Sequence, residues 1–270
     1  MDSNVSFAKA PLIEIIAELR WVPPGTVEQP GQPAFTNDAD QLAMSFNRQL
    51  AVASFPRAEK LVPPGFPSML HEVAWRFRNP GDAGTLLQIG GGIFTANALP
   101  PYKRWSAFRP TVEKGVEALL AARLEAEKDL PFSGLSLCYM NAFSPEAMKK
   151  CSQQKFIEEV LGFRVDLPSA LKKIESRDQH NSTTINLLVP IGNTSKKLVL
   201  VVADGSMRQT GSSQNTPVVL MNMTVLETVP VAPNVTSILG AFDEARNIIH
   251  NAFMEMTSSI HNLMQPEEAA

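Results

Sequence analysis

The sequence has little cysteine, little histidine and no strong excess of charge of either sign. Its 270 residues include two cysteines and four histidines, and the formal net charge is -3. Two cysteines are too few for a disulfide framework or for a cysteine-based zinc site. A net charge this close to zero gives no general attraction to nucleic acid or to anionic membranes. The composition therefore favours a reducing compartment, and it favours neither nucleic acid nor an anionic membrane as the partner.

Long hydrophobic runs and an export signal are missing as well. One of the longest apolar runs covers residues 198–203, whereas a membrane-spanning helix needs about 20 residues. Residues 1–10 lack the basic start, apolar stretch and cleavage site of a signal peptide. We therefore expect a cytoplasmic protein, in which the 44% of hydrophobic residues fill a sizeable core.

Alternation of apolar and polar residues predicts most of the strands, and apolar residues recurring every three to four positions predict the helices. The predicted strands cover residues 11–21, 73–77, 86–89, 93–98, 135–140, 173–180, 184–191, 197–204 and 218–227. The predicted helices cover residues 37–54, 111–128 and 156–161, and a long final helix capped by Asn234. Residues 22–36, rich in Pro, Gly and Gln, are predicted to form a long exposed loop.

This order of elements predicts an α+β fold made of two similar halves. The halves read β-α-β-β-β-α and then β-α-β-β-β-β-α, each an antiparallel sheet covered by helices. We place an N-terminal half at residues 1–132 and a C-terminal half, with the long final helix, at 133–270. The repeated order suggests an internal duplication.

The residues that commonly carry catalysis or metal binding are poorly placed for either. The glycines at 90–92 precede another strand and not a helix, so they indicate a hairpin turn rather than a phosphate cradle. His180 and Asp178 lie two residues apart, with no third ligand nearby. Cys138, in the middle of a predicted strand, is expected to pack in the core. No cofactor and no metal are predicted.

Carboxylates brought together by the fold remain as a route to catalysis. Glu18, Asp178 and Asp204 are the acids considered for a metal-dependent nuclease or hydrolase. Glu14 shares a strand face with Glu18, but the two are about 13 Å apart, too far to act as a direct pair. A cross-strand ion pair involving Glu18 and Arg20 is the simpler expectation.

Residues 102–105, Tyr-Lys-Arg-Trp, form the densest cluster of aromatic and basic side chains. Aromatic residues and Arg are the residue types that anchor protein interfaces. The alternative is that Trp105 and Phe108 only fasten the start of the following helix.

Several segments resemble a sporadically distributed family of uncharacterised prokaryotic proteins. They are an A-P-L-I-E…E-L-R-W strand at residues 10–21, the segments 87–89, 94–97 and 102–105, the strand 135–141 and H-N-A-F at 250–253. The chain departs from the family pattern at the glycines 90–92. The resemblance implies a bacterial cytosolic protein, and the sporadic distribution suggests an accessory role in a conflict system such as phage defence or toxin neutralisation.

These observations together favour a non-enzymatic protein-interaction or regulatory protein. The expected partners are a protein encoded nearby and a second copy of the chain, with neither nucleic acid nor membrane. A metal-dependent nuclease or hydrolase and a nucleic-acid-binding protein stay open as alternatives, the latter because the second half has the strand and helix order of a TATA-box-binding saddle. The candidate binding residues are Asn97, Tyr102, Arg104, Trp105, Tyr139 and Asn141.

Overall fold

A computed structural model describes residues 6–26, 34–36, 39–52, 55–63, 66, 68–100, 104–173, 182–208 and 214–267. Its helices are α1 (Ala39–Val52), α2 (Trp105–Ala122), α3 (Gln153–Glu159), α4 (Ser169–Lys172), α5 (Val235–Met256) and α6 (His261–Met264). Its strands in the first part of the chain are β1 (Ser6–Phe7), β2 (Leu12–Arg20), β3 (Phe35–Thr36), β4 (Arg57–Lys60), β5 (Ser68–Met69), β6 (Val73–Asn79), β7 (Asp82–Gly90) and β8 (Ile93–Ala98). The later strands are β9 (Gly134–Phe143), β10 (Thr184–Pro190), β11 (Lys196–Arg208), β12 (Asn215–Glu227) and β13 (Pro266–Glu267). None of the helices in these ranges combines the length and the hydrophobicity needed to cross a bilayer.

A single nine-stranded antiparallel sheet dominates the fold, in the order β10-β11-β12-β9-β2-β8-β7-β6-β4. The mixed α/β class with a large antiparallel sheet is as predicted. The strands of 1–132 and of 133–270 do not form separate sheets, however, because β2 pairs with β9 along most of its length. Alternation of apolar and polar residues within a strand does not show which strand it pairs with. The pairing of β2 with β9, which belong to different predicted halves, therefore leaves no local sequence pattern.

Only one face of the sheet carries the main hydrophobic core. On β2 the side chains of Ile15, Ala17 and Leu19 are fully buried, while Ile16 and Glu18 between them are partly exposed. The core joins the apolar residues of this face to the apolar stripes of α1, α2 and α5. Burial of one face explains why the period-2 pattern predicted β2 and β9 well.

Helices α2 and α3 differ from their predicted limits, since α2 ends at Ala122 and not at residue 128, and α3 covers Gln153–Glu159 and not 156–161. Helix α2 begins at Trp105 and not at residue 111, and it contains Pro110. Proline within a helix is usually confined to the first turn, so the helix was predicted to start just after Pro110. Helix α5 is capped as predicted, since the Asn234 side chain accepts a hydrogen bond from the Ser237 N–H. It ends at Met256, before the 3-10 turn Ser258–Ile260.

The remaining predicted elements are partly accounted for. Strands β10, β11 and β12 match the predictions for residues 184–191, 197–204 and 218–227. The predicted strand 173–180 lies outside the described residues except for Lys173, which forms a turn after α4. Of the predicted loop 22–36, residues 27–33 lie outside them too, and its end forms β3, which pairs with β5.

Candidate interaction surface

The sheet face opposite the core, called the open face below, combines polar and apolar side chains. None of its partly exposed side chains belongs to the hydrophobic core that the helices share. From β8 across the central strands to β11 it includes Thr95, Asn97, Glu14, Ile16, Glu18, Ser136, Cys138, Met140, Asn222, Thr224, Val199 and Val201. This face therefore presents a broad amphipathic surface to its surroundings.

A chain of hydrogen bonds orders the polar centre of the open face. The Thr95 hydroxyl lies 3.1 Å from Gln88 Oε1 and 2.8 Å from Asn97 Oδ1. Asn97 Nδ2 then donates to Glu14 Oε1 at 2.8 Å. Thr95 and Asn97 are buried, although they are on this face. The network fixes the amide of Asn97 and the carboxylate of Glu14 in the folded chain.

The second carboxylate of this face is held by an arginine. Arg20 Nε donates to Glu18 Oε1 at 2.7 Å, and Ser136 Oγ lies 3.5 Å from the same oxygen. Both residues take part in an ion pair, but the prediction of a cross-strand pair is wrong, because they pair with each other along β2. These contacts fix the Glu18 carboxylate beside Arg20 and Ser136.

The thiol of Cys138 is on the open face and not in the core. Burial raises the pKa of the Cys138 thiol, while a hydrogen bond with Thr224 acts in the opposite direction. A nucleophilic cysteine needs a lowered pKa, usually from a cationic neighbour. Here the nearest charges are the carboxylates of Glu14 and Glu18, which disfavour the thiolate further.

Two of the acids considered for catalysis lie far apart. Glu18 is level with Lys197 in the register of the sheet, and Asp204 is seven residues further along β11. At about 3.3 Å per residue this is about 23 Å along the strand alone. Asp204 also points to the core side, where its carboxylate accepts hydrogen bonds from Ser182 and the Thr183 N–H.

No group of three His, Cys, Asp or Glu side chains within the described ranges is arranged to hold a metal ion. Asp178 and His180 fall outside those ranges. Glu18 and Asp204 therefore do not share a metal site, because ligands must lie within about 2–2.6 Å of one ion.

The glycines at 90–92 form the predicted turn between β7 and β8. A Cβ atom on Gly90 would collide with the carbonyl oxygen of Glu72, and one on Gly91 with the Thr36 hydroxyl. Gly92 has φ +70 and abuts the carbonyl oxygen of Trp21. Three glycines are thus required because three other segments approach this turn closely.

The six candidate binding residues do not form one surface. Asn97 lies on the open face, whereas Tyr139 and Asn141 are on the core side of β9. Asn141 is buried and its Nδ2 donates to the Met221 carbonyl at 3.1 Å. Tyr102 lies outside the described residues, and Arg104 is the residue immediately before α2.

Trp105 points into the molecule, as the alternative interpretation of the 102–105 cluster expects. Its indole Nε1 donates to Asp243 Oδ1 at 2.7 Å, which fastens α2 to α5. Arg109 reinforces the same carboxylate through Nε at 3.0 Å. The Trp105 and Phe108 rings also contact each other, with centroids 5.9 Å apart. This tryptophan therefore joins two helices.

A buried arginine near the link between the two parts of the chain escaped the sequence analysis. The Arg123 side chain is fully buried, with its guanidinium 4.6 Å from the Phe132 ring centroid. Nη1 donates to the Leu130 carbonyl at 2.8 Å, and Nε is 3.9 Å from Glu127 Oε2. The Trp21 indole donates to that oxygen at 3.0 Å. Burial lowers the pKa of the Arg123 guanidinium, and Glu127 opposes that effect.

A cavity of about 300 Å³ lies beside the start of α3, lined by residues such as Met148, Cys151, Gln153, Ile157 and Asp204. Lys150, one of the residues that line it, has φ near +58. The two N–H donors of the Gln153 side chain are both engaged, because Nε2 donates to the Gly205 and Val218 carbonyls.

The sequence matches no protein-family model and no curated protein. Functional interpretation thus depends on the geometry of the sheet and its helices.

Proposed function

We propose that the protein is a non-enzymatic interaction protein that binds a partner protein on the open face. The observation that carries this proposal is the amphipathic open face itself, on which a pre-ordered polar centre lies beside apolar side chains. The polar centre consists of Glu14, Thr95 and Asn97, and the apolar side chains include Val199 and Val201 on β11. Apolar patches that solvent reaches and that polar side chains border mark interaction sites.

The charge of the open face favours a protein over nucleic acid. A saddle-like protein meets nucleic acid with the middle of its sheet, and here the middle carries Glu14 and Glu18. Carboxylates at that position repel phosphates, whose neutralisation dominates nucleic-acid affinity. A partner with Lys or Arg donors opposite these carboxylates, and apolar side chains opposite β11, fits better.

The biological setting of this proposal comes from the resemblance to the sporadically distributed family. It suggests a bacterial, cytoplasmic accessory component of a conflict system, with the partner encoded nearby. The order of the nine-stranded sheet supports an internal duplication as part of this proposal, because in each part the first strand of that sheet lies beside the last one. Thus β2 neighbours β8, and β9 neighbours β12.

Partner recovery from a lysate of the native host tests the proposal with one altered side chain. Val201→Arg places an unpaired charge on the open face and should lower recovery of the specific partner about tenfold, which is about 1.4 kcal/mol. Met44→Arg on the exposed side of α1 is the matched control, since Met44 is 65% exposed. Equal partner recovery with both variants, or hydrolytic turnover that depends on Glu18, would contradict the proposal.

A further inference from the structure

The strand β10 forms one end of the nine-stranded sheet in the described part of the chain. Its sequence, Thr-Ile-Asn-Leu-Leu-Val-Pro, has no charged residue. Leu187, Leu188 and Val189 are 38%, 59% and 42% exposed, so apolar side chains face outward on both sides of this strand. Edge strands of monomeric proteins are normally short or charged, because a bare apolar edge pairs with other strands.

The backbone of β10 has hydrogen-bonding groups directed away from β11. The Ile191 N–H donates to the Lys196 carbonyl, and the Asp204 N–H donates to the Thr183 carbonyl. In an antiparallel pair such residues alternate, so the odd-numbered residues of β10 bond to β11. The N–H and C=O groups of Thr184, Asn186 and Leu188 therefore point outward, ready to extend the sheet.

We propose that β10 pairs antiparallel with β10 of a second copy, with a two-fold axis at Leu187. This register places Leu187 opposite its own counterpart and Ile185 opposite Val189 of the second copy. The outward groups of Asn186 meet those of Leu188, so both residues of that pair exchange hydrogen bonds. Pro190, which lacks an N–H, falls at the end of the pairing. The arrangement is isologous and closes as a dimer.

The absence of charge is what selects a second copy as the occupant. Like charges opposite each other destabilise a strand pair, and β10 offers none in any two-fold register. The nearest competing segment of this chain, residues 173–180, carries Lys173, Glu175, Arg177 and Asp178. Pairing it with β10 would set charged side chains beside exposed leucines, so apolar self-pairing fits the surface better.

Replacing Leu187, which lies on the proposed two-fold axis, by a charged residue of either sign tests both the dimer and its register. Wild-type protein should show a mass of two 29.5 kDa chains by light scattering within roughly 1–300 μM, the range of weak interfaces. Leu187→Lys and Leu187→Glu should each raise the dissociation constant at least about tenfold, since like charges then meet at the axis. An equimolar mixture of the two variants should restore the two-chain mass. Met44→Lys, at another exposed apolar site, should remain a dimer.

Some outcomes would overturn this inference. One is a wild type that stays monomeric throughout that concentration range, whether β10 is exposed or is covered by the segment 173–180. Another is a mixture of Leu187→Lys and Leu187→Glu that does not recover the dimer, although each variant is folded by circular dichroism. The inference does not depend on the proposed function, because Val201→Arg alters the open face and should leave the dimer intact. Loss of partner recovery and loss of the dimer are therefore separate results.

Discussion

The two edge strands of the nine-stranded sheet differ in length and in charge. Strand β4 at one end has four residues, Arg-Ala-Glu-Lys, all of them exposed. Strand β10 at the other end has seven residues and no charge. Both are outermost strands of the described sheet, so their topological position is the same. The difference indicates that only the β4 edge is protected against pairing.

Side-chain contacts hold the charged edge in place. Lys60 Nζ lies 2.7 Å from Asp40 Oδ2 and 5.6 Å from the centroid of the Trp75 ring. The Trp75 indole donates to Asp40 Oδ1 at 2.9 Å. Comparable anchoring charges do not occur on β10, whose residues are uncharged. The charged edge strand β4 can therefore be compared with the uncharged edge strand β10 within the same sheet.

Proline at adjacent β10 positions should give the largest contrast. Leu187→Pro removes an N–H that bonds to β11 and should cost about 1–3 kcal/mol of unfolding free energy. Asn186→Pro removes only an outward N–H, so it should cost less than about 1 kcal/mol, because edge strands tolerate proline there. Urea denaturation, at a protein concentration where the chain is monomeric, measures both. Equal losses would show that the direction of these N–H groups is not as inferred.

Removing the charges of β4 should make the two ends alike. The variant Arg57→Thr/Glu59→Val/Lys60→Thr should associate beyond the dimer, to masses of about four chains or more, because each dimer then has two further uncharged edges. Sedimentation velocity over a concentration series measures this. Lys155→Thr/Glu159→Val, which removes an exposed ion pair from α3, is the control and should stay at two chains. An unchanged mass for the triple variant would mean that charge does not protect β4.

Acid should weaken the anchoring of β4 by a smaller amount. Hydrogen bonds from Lys60 and then Trp75 hold the pKa of the Asp40 carboxyl below its ordinary value of 3.8. A lowered pKa in the folded state stabilises the fold above pH 3.8, and this contribution disappears as the pH falls through the folded-state pKa. The effect should stay below about 1 kcal/mol, because the pair is partly exposed.

Asp40→Asn tests that contribution. The Tm difference between wild type and the variant should be largest near pH 6 and should shrink as the pH falls below 3.8. A difference that is constant with pH would show that the ionised carboxylate contributes nothing at this site.

Local periodicity predicted the parts of the fold that a single strand or helix determines by itself. The alternation at 11–21 identified β2 and placed Glu14, Glu18 and Arg20 on one face, because the hydrophobic core packs on the opposite face of that strand. Asn234 identified the start of α5 through its own side chain. Such features depend on residues that are close in the chain.

Contacts between distant residues were beyond that reach. The bond between Trp105 and Asp243 joins residues 138 positions apart, and that bond turns the tryptophan inward, away from the surface where its residue type suggested a binding role. The burial of Arg123 likewise depends on Trp21 and Phe132. In the sequence that arginine falls on the apolar side of the predicted helix, four residues after Leu119 and seven after Val116. Of the aromatic rings that cover it, that of Trp21 is distant in the chain. The open face was predictable as alternating positions, but its hydrogen-bond network was not.

The central pairing of β2 with β9 has a consequence for synthesis on the ribosome. Residues 12–122, from β2 to the end of α2, emerge before β9, so β2 is a free edge until residues 134–143 follow. At about 5–20 residues per second, that delay lasts on the order of seconds. Glu14, Glu18 and Arg20 lie along β2 during this interval. Charged side chains that lie in the middle of the finished sheet therefore disfavour pairing of this temporary edge strand with other chains during synthesis.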